Sequence, residues 1–270
     1  MKQAIGVIDS GVGGLTVVHE LMRQLPNEKL IYMGDTLRCP YGSRPAEEIK
    51  QFTWEMVEFL LQKNIKMLVV ACNTATAFTL EDLKSTLDIP VIGVIQPGAR
   101  AAIKVTQNNH VGVIGTAGTI QSHAYERALK NIKEDIHVYS LACPLFVPMV
   151  EKGVLSGEEA YEVVQQSLQP MKGKKKMDTL ILGCTHYPLL KQTIQDVVGP
   201  EVSIISSSEE TAREVSTILD VYHLFNKGQK PPVHQFYTTG KLGTFRDITK
   251  SIFNHPINHL QSVTIEKATI

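Results

Sequence analysis

A chain of 270 residues has room for a sizeable core and fits two domains more comfortably than one. Its 27 basic residues balance 27 acidic ones, so no charge surplus argues for nucleic acid or an anionic membrane as partner. Four cysteines are too few for a disulfide framework and no apolar run reaches membrane-spanning length. With no basic-then-apolar leader at the N-terminus, the thiols are expected to be reduced and the protein cytoplasmic.

The apolar run Ala4–Ile8 predicts a strand, followed by the polar turn Asp9-Ser10-Gly11-Val12-Gly13-Gly14. Leu15, Val18, Leu21, Met22 and Leu25 recur at helical spacing, and Pro26-Asn27 ends that helix. A second strand over Lys29–Met33 delivers Gly34-Asp35 and a loop through Arg38-Cys39-Pro40-Tyr41-Gly42-Ser43-Arg44. Pro45 suits the first turn of a helix with Ile49, Phe52, Met56, Phe59 and Leu60 on one face. A strand over 67–71 brings Cys72, then a helix runs to about Leu87, and Pro90–Ile95 reads as another strand. Alternating β and α of this kind predicts a parallel sheet with helices on both faces.

The pattern then restarts. Val111-Gly112-Val113-Ile114-Gly115-Thr116 resembles Ile5-Gly6-Val7-Ile8-Asp9-Ser10, an offset of 106 from residue 5 to residue 111. Met67-Leu68-Val69-Val70-Ala71-Cys72-Asn73-Thr74-Ala75 matches Thr179-Leu180-Ile181-Leu182-Gly183-Cys184-Thr185-His186-Tyr187, an offset of 112 from Cys72 to Cys184. Val91–Arg100 and Val202–Thr211 match loosely at 111. Three matches in one order argue for an internal duplication. The expected fold is α/β, two similar open parallel-sheet domains with the active site in the cleft between them. Residues 1–96 plus 209–270 would form the first domain and 97–208 the second. Further along, Ser156–Gln169 reads as a helix capped by Ser156, and another helix spans about Glu209 to Phe225. Lys172 to Lys176 reads as a solvated loop, and Gly228–Pro232 as a break. The tail reads as a strand over Phe236–Thr239, a helix over Lys241–Phe253 and a strand over Ser262–Glu266, returning to complete the first domain.

Ligands of open parallel sheets bind at the carboxyl ends of the strands. There this chain places Asp9, Ser10, Asp35, Cys72, Asn73, Thr74, Thr116, Cys184, Thr185 and His186. Hydroxyls, amides and helix-starting N–H groups suit a carboxylate. The Ser10–Gly14 turn matches neither dinucleotide nor phosphate-loop spacing, so no nucleotide cofactor is expected. An isolated cysteine after a strand is ordinarily a small core residue. Cys72 and Cys184 differ in preceding a helix start, where the dipole favours thiolate, and in being equivalent in the two halves. Cys39 and Cys143 lack such a relation and read as loop or core packing. His186 reads either as a cap or as a donor beside Cys184. Asp9 reads either as a turn residue or as a buried carboxylate near Cys72 or a substrate ammonium, and Glu151 as an exposed helix end. With no CxxC or HExxH spacing, metal binding is disfavoured.

Four motifs together are distinctive: Asp9-Ser10-Gly11-Val12-Gly13-Gly14, Cys39-Pro40-Tyr41-Gly42, Ala71-Cys72-Asn73-Thr74-Ala75 and Gly183-Cys184-Thr185-His186-Tyr187-Pro188. The chain resembles, over nearly its whole length, the glutamate racemases of bacterial peptidoglycan synthesis, of the cofactor-independent aspartate/glutamate racemase group. The resemblance implies that Cys72 and Cys184 are acid/base thiols, with Asp9 assisting Cys72 and His186 and Glu151 assisting Cys184. It implies that Asp9, Ser10, Tyr41, Gly42, Asn73, Thr74, Thr116, Thr119, Thr185 and His186 hold glutamate. It also implies a homodimer that needs no cofactor. The competing readings are a racemase for aspartate or another small acid, a Cys184–His186 hydrolase, and a non-enzymatic carboxylate-binding protein.

Overall fold

The computed structural model describes residues 2–174, 176–228, 230–253 and 257–265. In chain order the elements are β1 (Ala4–Asp9), α1 (Leu15–Gln24), β2 (Leu30–Gly34), α2 (Ala46–Leu61), β3 (Ile65–Val70), α3 (Asn73–Thr86), β4 (Val91–Gly93) and α4 (Ile95–Val105). Then come β5 (His110–Gly115), α5 (Ala117–Gln121), α6 (Ala124–Ile132), β6 (His137–Ala142), α7 (Phe146–Glu151), α8 (Glu158–Leu168) and β7 (Thr179–Gly183). The chain continues with α9 (Lys191–Val198), β8 (Ser203–Ser206), α10 (Ser207–Val221), β9 (Gln235–Thr238), α11 (Leu242–Phe253) and β10 (Leu260–Ser262).

Among the described residues the strands form two sheets, in the orders β10-β9-β2-β1-β3-β4 and β6-β5-β7-β8, with every pairing parallel. The order β2-β1-β3-β4 is repeated as β6-β5-β7-β8, which is the duplication read from the sequence. Cys72 and Cys184 follow β3 and β7, equivalent strands of the two sheets.

Both sheets are covered on both faces, and this is why their strands are unbroken apolar runs. Ile5 and Val7 pack with Leu15, Val18 and Leu21 of α1 on one side, while Ala4 and Ile8 pack with Met56 and Leu60 of α2 on the other. In the second sheet Val111 and Val113 face Ala128 and Leu129 of α6, and Ile114 joins the cluster of Val164 and Ile194. Each fully buried aliphatic side chain contributes roughly 1.5–3 kcal/mol, so these four layers dominate stability.

Several boundaries differ from the sequence reading. The strand expected over Pro90–Ile95 ends at Gly93, and Ile95 begins α4, because Ile95 is buried in the core of the second sheet. Ser156 does not cap α8: the helix starts at Glu158 after Gly157, whose φ of 90° is a conformation other residues adopt only under strain. The helix expected from Glu209 starts at Ser207, capped by the Ser206 hydroxyl, and stops at Val221. The last strand lies at Leu260–Ser262 rather than Ser262–Glu266. Glu266, Lys175 and Gln229 lie outside the described residues. No helix among the described residues is long and apolar enough to cross a membrane.

Candidate active site

The carboxyl ends of the central strands β1, β3, β5 and β7 face a common small cavity. Ser10, Pro40, Tyr41, Gly42, Cys72, Asn73, Thr74, Thr116, Val147, Cys184, Thr185 and His186 line it. Its volume, about 10 Å³, holds about one water molecule, so the cleft is closed. A larger groove of about 820 Å³, lined by Lys66, Asp88 and Arg100 among others, contains none of the residues that line this cavity. Size therefore does not locate the chemistry here; the convergence of strand ends does.

Cys72 is the N-cap of α3, and its sulfur accepts the Ala75 N–H at 3.4 Å. The thiol donates to Ser10 Oγ at 3.5 Å. Burial, with the Asp9 carboxylate adding to it, pushes the Cys72 thiol up to about 12, so at neutral pH it carries its proton. Asp9 is fully buried and does not line the cavity. Its carboxylate accepts the Gly11 N–H at 2.9 Å and the Thr185 hydroxyl at 3.0 Å, tying the β1 turn to the β7 turn.

Cys184 lies 3.8 Å from His186 Nδ1. The other ring nitrogen, Nε2, is 2.7 Å from Glu151 Oε1. Burial by itself would lower the His186 pKa, but hydrogen bonds with Cys184, Cys39 and Glu151 outweigh it and hold the ring well above its ordinary 6.5. Burial would likewise raise Glu151, but the bond from His186 prevails and holds its carboxyl below the usual range. The pair is thus a cation and an anion, with the positive ring set against the Cys184 sulfur. Glu151 stands behind His186 and does not touch the cavity.

Asn73 accepts the Tyr125 hydroxyl at 2.7 Å through Oδ1, while its Nδ2 is buried without a hydrogen-bond partner among the described residues. A buried unsatisfied amide is unfavourable by about 1–3 kcal/mol. On a cavity wall it is a donor reserved for a ligand acceptor. Thr74, Thr116 and Thr119 form a hydroxyl triangle with edges of 2.9, 3.1 and 3.1 Å. Thr119 completes that triangle from behind the wall. The Tyr41 hydroxyl donates to Asp35 Oδ2 at 2.5 Å, so Tyr41 offers the cavity its ring and backbone rather than its O–H.

Glycines let the two halves close. A Cβ on Gly42 would lie 2.2 Å from Thr116 Cβ, and one on Gly13 would lie 2.7 Å from the His186 backbone nitrogen. Only a bare backbone permits these approaches.

Known proteins resemble this chain over nearly its whole length. The profile described as Asp/Glu/Hydantoin racemase matches residues 5–215. A curated glutamate racemase from Oceanobacillus iheyensis is 70% identical over 270 residues, covering 100% of this chain and 98% of the relative. The chain belongs to the Asp/Glu/hydantoin racemase family. Among solved structures of that family, a glutamate racemase isoform from Bacillus anthracis superposes with TM-score 0.91 at 50% identity, covering 98% of this chain and 99% of that one. A glutamate racemase from Francisella tularensis in complex with D-glutamate gives 0.90 at 36% identity, covering 98% of each chain.

Three residues of this site were not singled out from the sequence. Val147 comes from α7 and carries no motif signal. Pro40 lay inside a quoted motif without a role. Cys39, expected to be loop or core packing, has its sulfur 3.6 Å from Glu151 Oε1 and hydrogen-bonds His186. Its place in the Cys39-Pro40-Tyr41-Gly42 motif could have flagged it, but nothing in the sequence places Glu151 beside it. Cys143, by contrast, is fully buried in the second-sheet core, as expected.

Proposed function

We propose that this chain is a glutamate racemase that interconverts L- and D-glutamate by proton transfer at Cα between two thiols, supplying D-glutamate for peptidoglycan. The observation that carries the reading is one closed cavity reached by Cys72 from one sheet and Cys184 from the other.

Racemisation takes a proton from one face of Cα and returns one to the other. Two groups on opposite sides do this without turning the substrate. One thiolate accepts the Cα proton while the opposite thiol donates its own, and the roles exchange in the reverse direction. Cys72, held protonated by burial and Asp9, is the ready acid. The His186 cation stands where charge develops on Cys184, and Glu151 keeps that cation in place. The Asn73 amide, the N-terminus of α3 and the threonine hydroxyls are suited to bind carboxylate. Such preorganised donors also stabilise the carbanion character that arises at Cα. Closure excludes water from this step, and the cleft must open to admit substrate.

Residues Cys72, Cys184, Asp9, His186 and Glu151 as catalytic machinery, and Ser10, Tyr41, Gly42, Asn73, Thr74, Thr116 and Thr185 as substrate contacts, with Thr119 orienting the threonine hydroxyls from behind the wall, are part of this proposal. Incubation with L-glutamate in D2O, without pyridoxal phosphate, should deuterate Cα as optical rotation decays to zero. Absence of exchange would remove the racemase reading, and faster turnover of L-aspartate would reassign the substrate.

We also propose a cytoplasmic homodimer whose two units, 1–96 with 209–270 and 97–208, part and close. Membership of β1–β4, β9 and β10 in one sheet and β5–β8 in the other supports that division. Small-angle scattering of the eluting protein should give twice the 29.9 kDa chain mass and a smaller radius with D-glutamate. A single-chain mass, or a radius indifferent to ligand, contradicts it.

A further inference from the structure

Cys39 Sγ, a carboxylate oxygen of Glu151 and a ring nitrogen of His186 all lie within 4.8 Å of one another. They come from three separate segments: the loop after β2, the end of α7, and the turn after β7. The Sγ–Oε1 separation is 3.6 Å and the Nε2–Oε1 separation 2.7 Å. A tetrahedral zinc site with bonds of about 2.0–2.3 Å spaces its donor atoms by roughly 3.3–3.7 Å. The sulfur–oxygen edge already has that length, and the nitrogen–oxygen edge reaches it when an ion replaces the shared proton.

The backbone of Gly11 borders all three atoms. An ideal Cβ on Gly11 would lie 2.6 Å from Glu151 Oε1, 2.9 Å from Cys39 Sγ and 3.2 Å from His186 Nε2. Any residue but glycine at position 11 would press its Cβ against all three donor atoms. Cys39 and Glu151 are half-buried, so the cluster is open to solvent on one side. A thiolate, an imidazole and a carboxylate form a borderline-soft donor set, which favours zinc over magnesium or calcium.

We propose that Cys39, Glu151 and His186 form an inhibitory site for a thiophilic divalent cation, Zn²⁺ in particular, that clamps the cleft shut. Coordination forms Zn–S, Zn–N and Zn–O bonds, and the displaced thiol and imidazole protons pass to solvent. Cys39 belongs to the loop after a first-sheet strand, whereas Glu151 and His186 belong to the second-sheet half. One ion therefore staples the two halves in the closed arrangement, whose cavity cannot admit an amino acid. The inhibitory consequence rests on the racemase reading; the binding does not.

The test uses the full-length protein after chelator treatment. Zn²⁺ is titrated against a chromophoric chelator without substrate, and Co²⁺ is added separately to read thiolate coordination by visible absorption. The wild type should bind one equivalent, with a thiolate-to-cobalt band. Cys39→Ser and Glu151→Gln should each weaken binding at least tenfold, while Cys72→Ser should bind like the wild type. Binding unchanged in Cys39→Ser, binding lost in Cys72→Ser, or no binding at all would overturn the site. In the kinetic arm, Zn²⁺ should inhibit racemisation, a chelator should reverse it, and Cys39→Ser should escape relative to its own metal-free rate. Binding without inhibition overturns the clamp. A metal-free wild type that racemises nothing would count against the function, leaving the binding result intact.

Discussion

Replacing either thiol should lower racemisation by about 10²–10⁴-fold, the range for removing a positioned acid or base. Cys72→Ala and Cys184→Ala are expected to fall in that range and to keep the wild-type fold, since each removes one small sulfur at the cavity wall. The two variants should nevertheless differ. A protein left with one thiol can remove a proton only from the face that thiol meets, and returns a solvent proton to the same face. Each variant should therefore wash deuterium into one enantiomer of glutamate with retention, and the two variants into opposite enantiomers. Chiral chromatography with mass detection reads both quantities. Wild-type racemisation by either variant would end the two-thiol mechanism. Exchange of the same enantiomer by both would mean that the thiols do not approach Cα from opposite sides.

Glu151→Gln should have the next largest effect, through His186. With the carboxylate gone, burial pulls the ring pKa down from its raised position. The protonated ring is the active form, so activity is lost as pH rises through its pKa, and the variant should lose it at lower pH than the wild type. Above that point each unit of displacement removes about a factor of ten from the protonated fraction. The pH profile of kcat/KM in metal-free buffer measures this, and an alkaline limb that stays in place refutes the role given to Glu151. Stability follows the same linkage. The raised His186 contributes fully below 6.5 and loses its contribution as pH rises through the folded pKa. The lowered Glu151 contributes fully above 4.5 and loses its contribution as pH falls through the folded pKa. Between those two values the pair stabilises most, and there the variant should lose roughly 1–3 kcal/mol, the range for a broken charged hydrogen bond. Glu151 retains 23% exposure, so solvent screening places the loss toward the lower end.

The strand-end residues were legible because a doubly covered parallel sheet leaves its chain little freedom. Apolar runs must be strands, and the first polar residue after each must sit at the carboxyl edge. Ser10, Cys72, Asn73, Thr116, Cys184 and Thr185 follow from that rule alone. Boundaries were less legible where tertiary contacts override local pattern. Ile95 extends an apolar run, yet its burial in the second core makes it the start of a helix. Gly157 displaces Ser156 as cap because the turn needs a φ that favours glycine.

Periodicity and repetition, which are local properties, by themselves determined the α/β class, the duplication and the pairing of Cys72 with Cys184. Tertiary structure alone decided which groups act on those thiols. Glu151 looked like an exposed helix end and Cys39 like loop packing, and 112 residues separate them. Their meeting at His186 depends on how α7, the β7 turn and the loop after β2 pack. Pattern cannot encode that meeting, because long-range contacts between polar side chains leave no period in the chain.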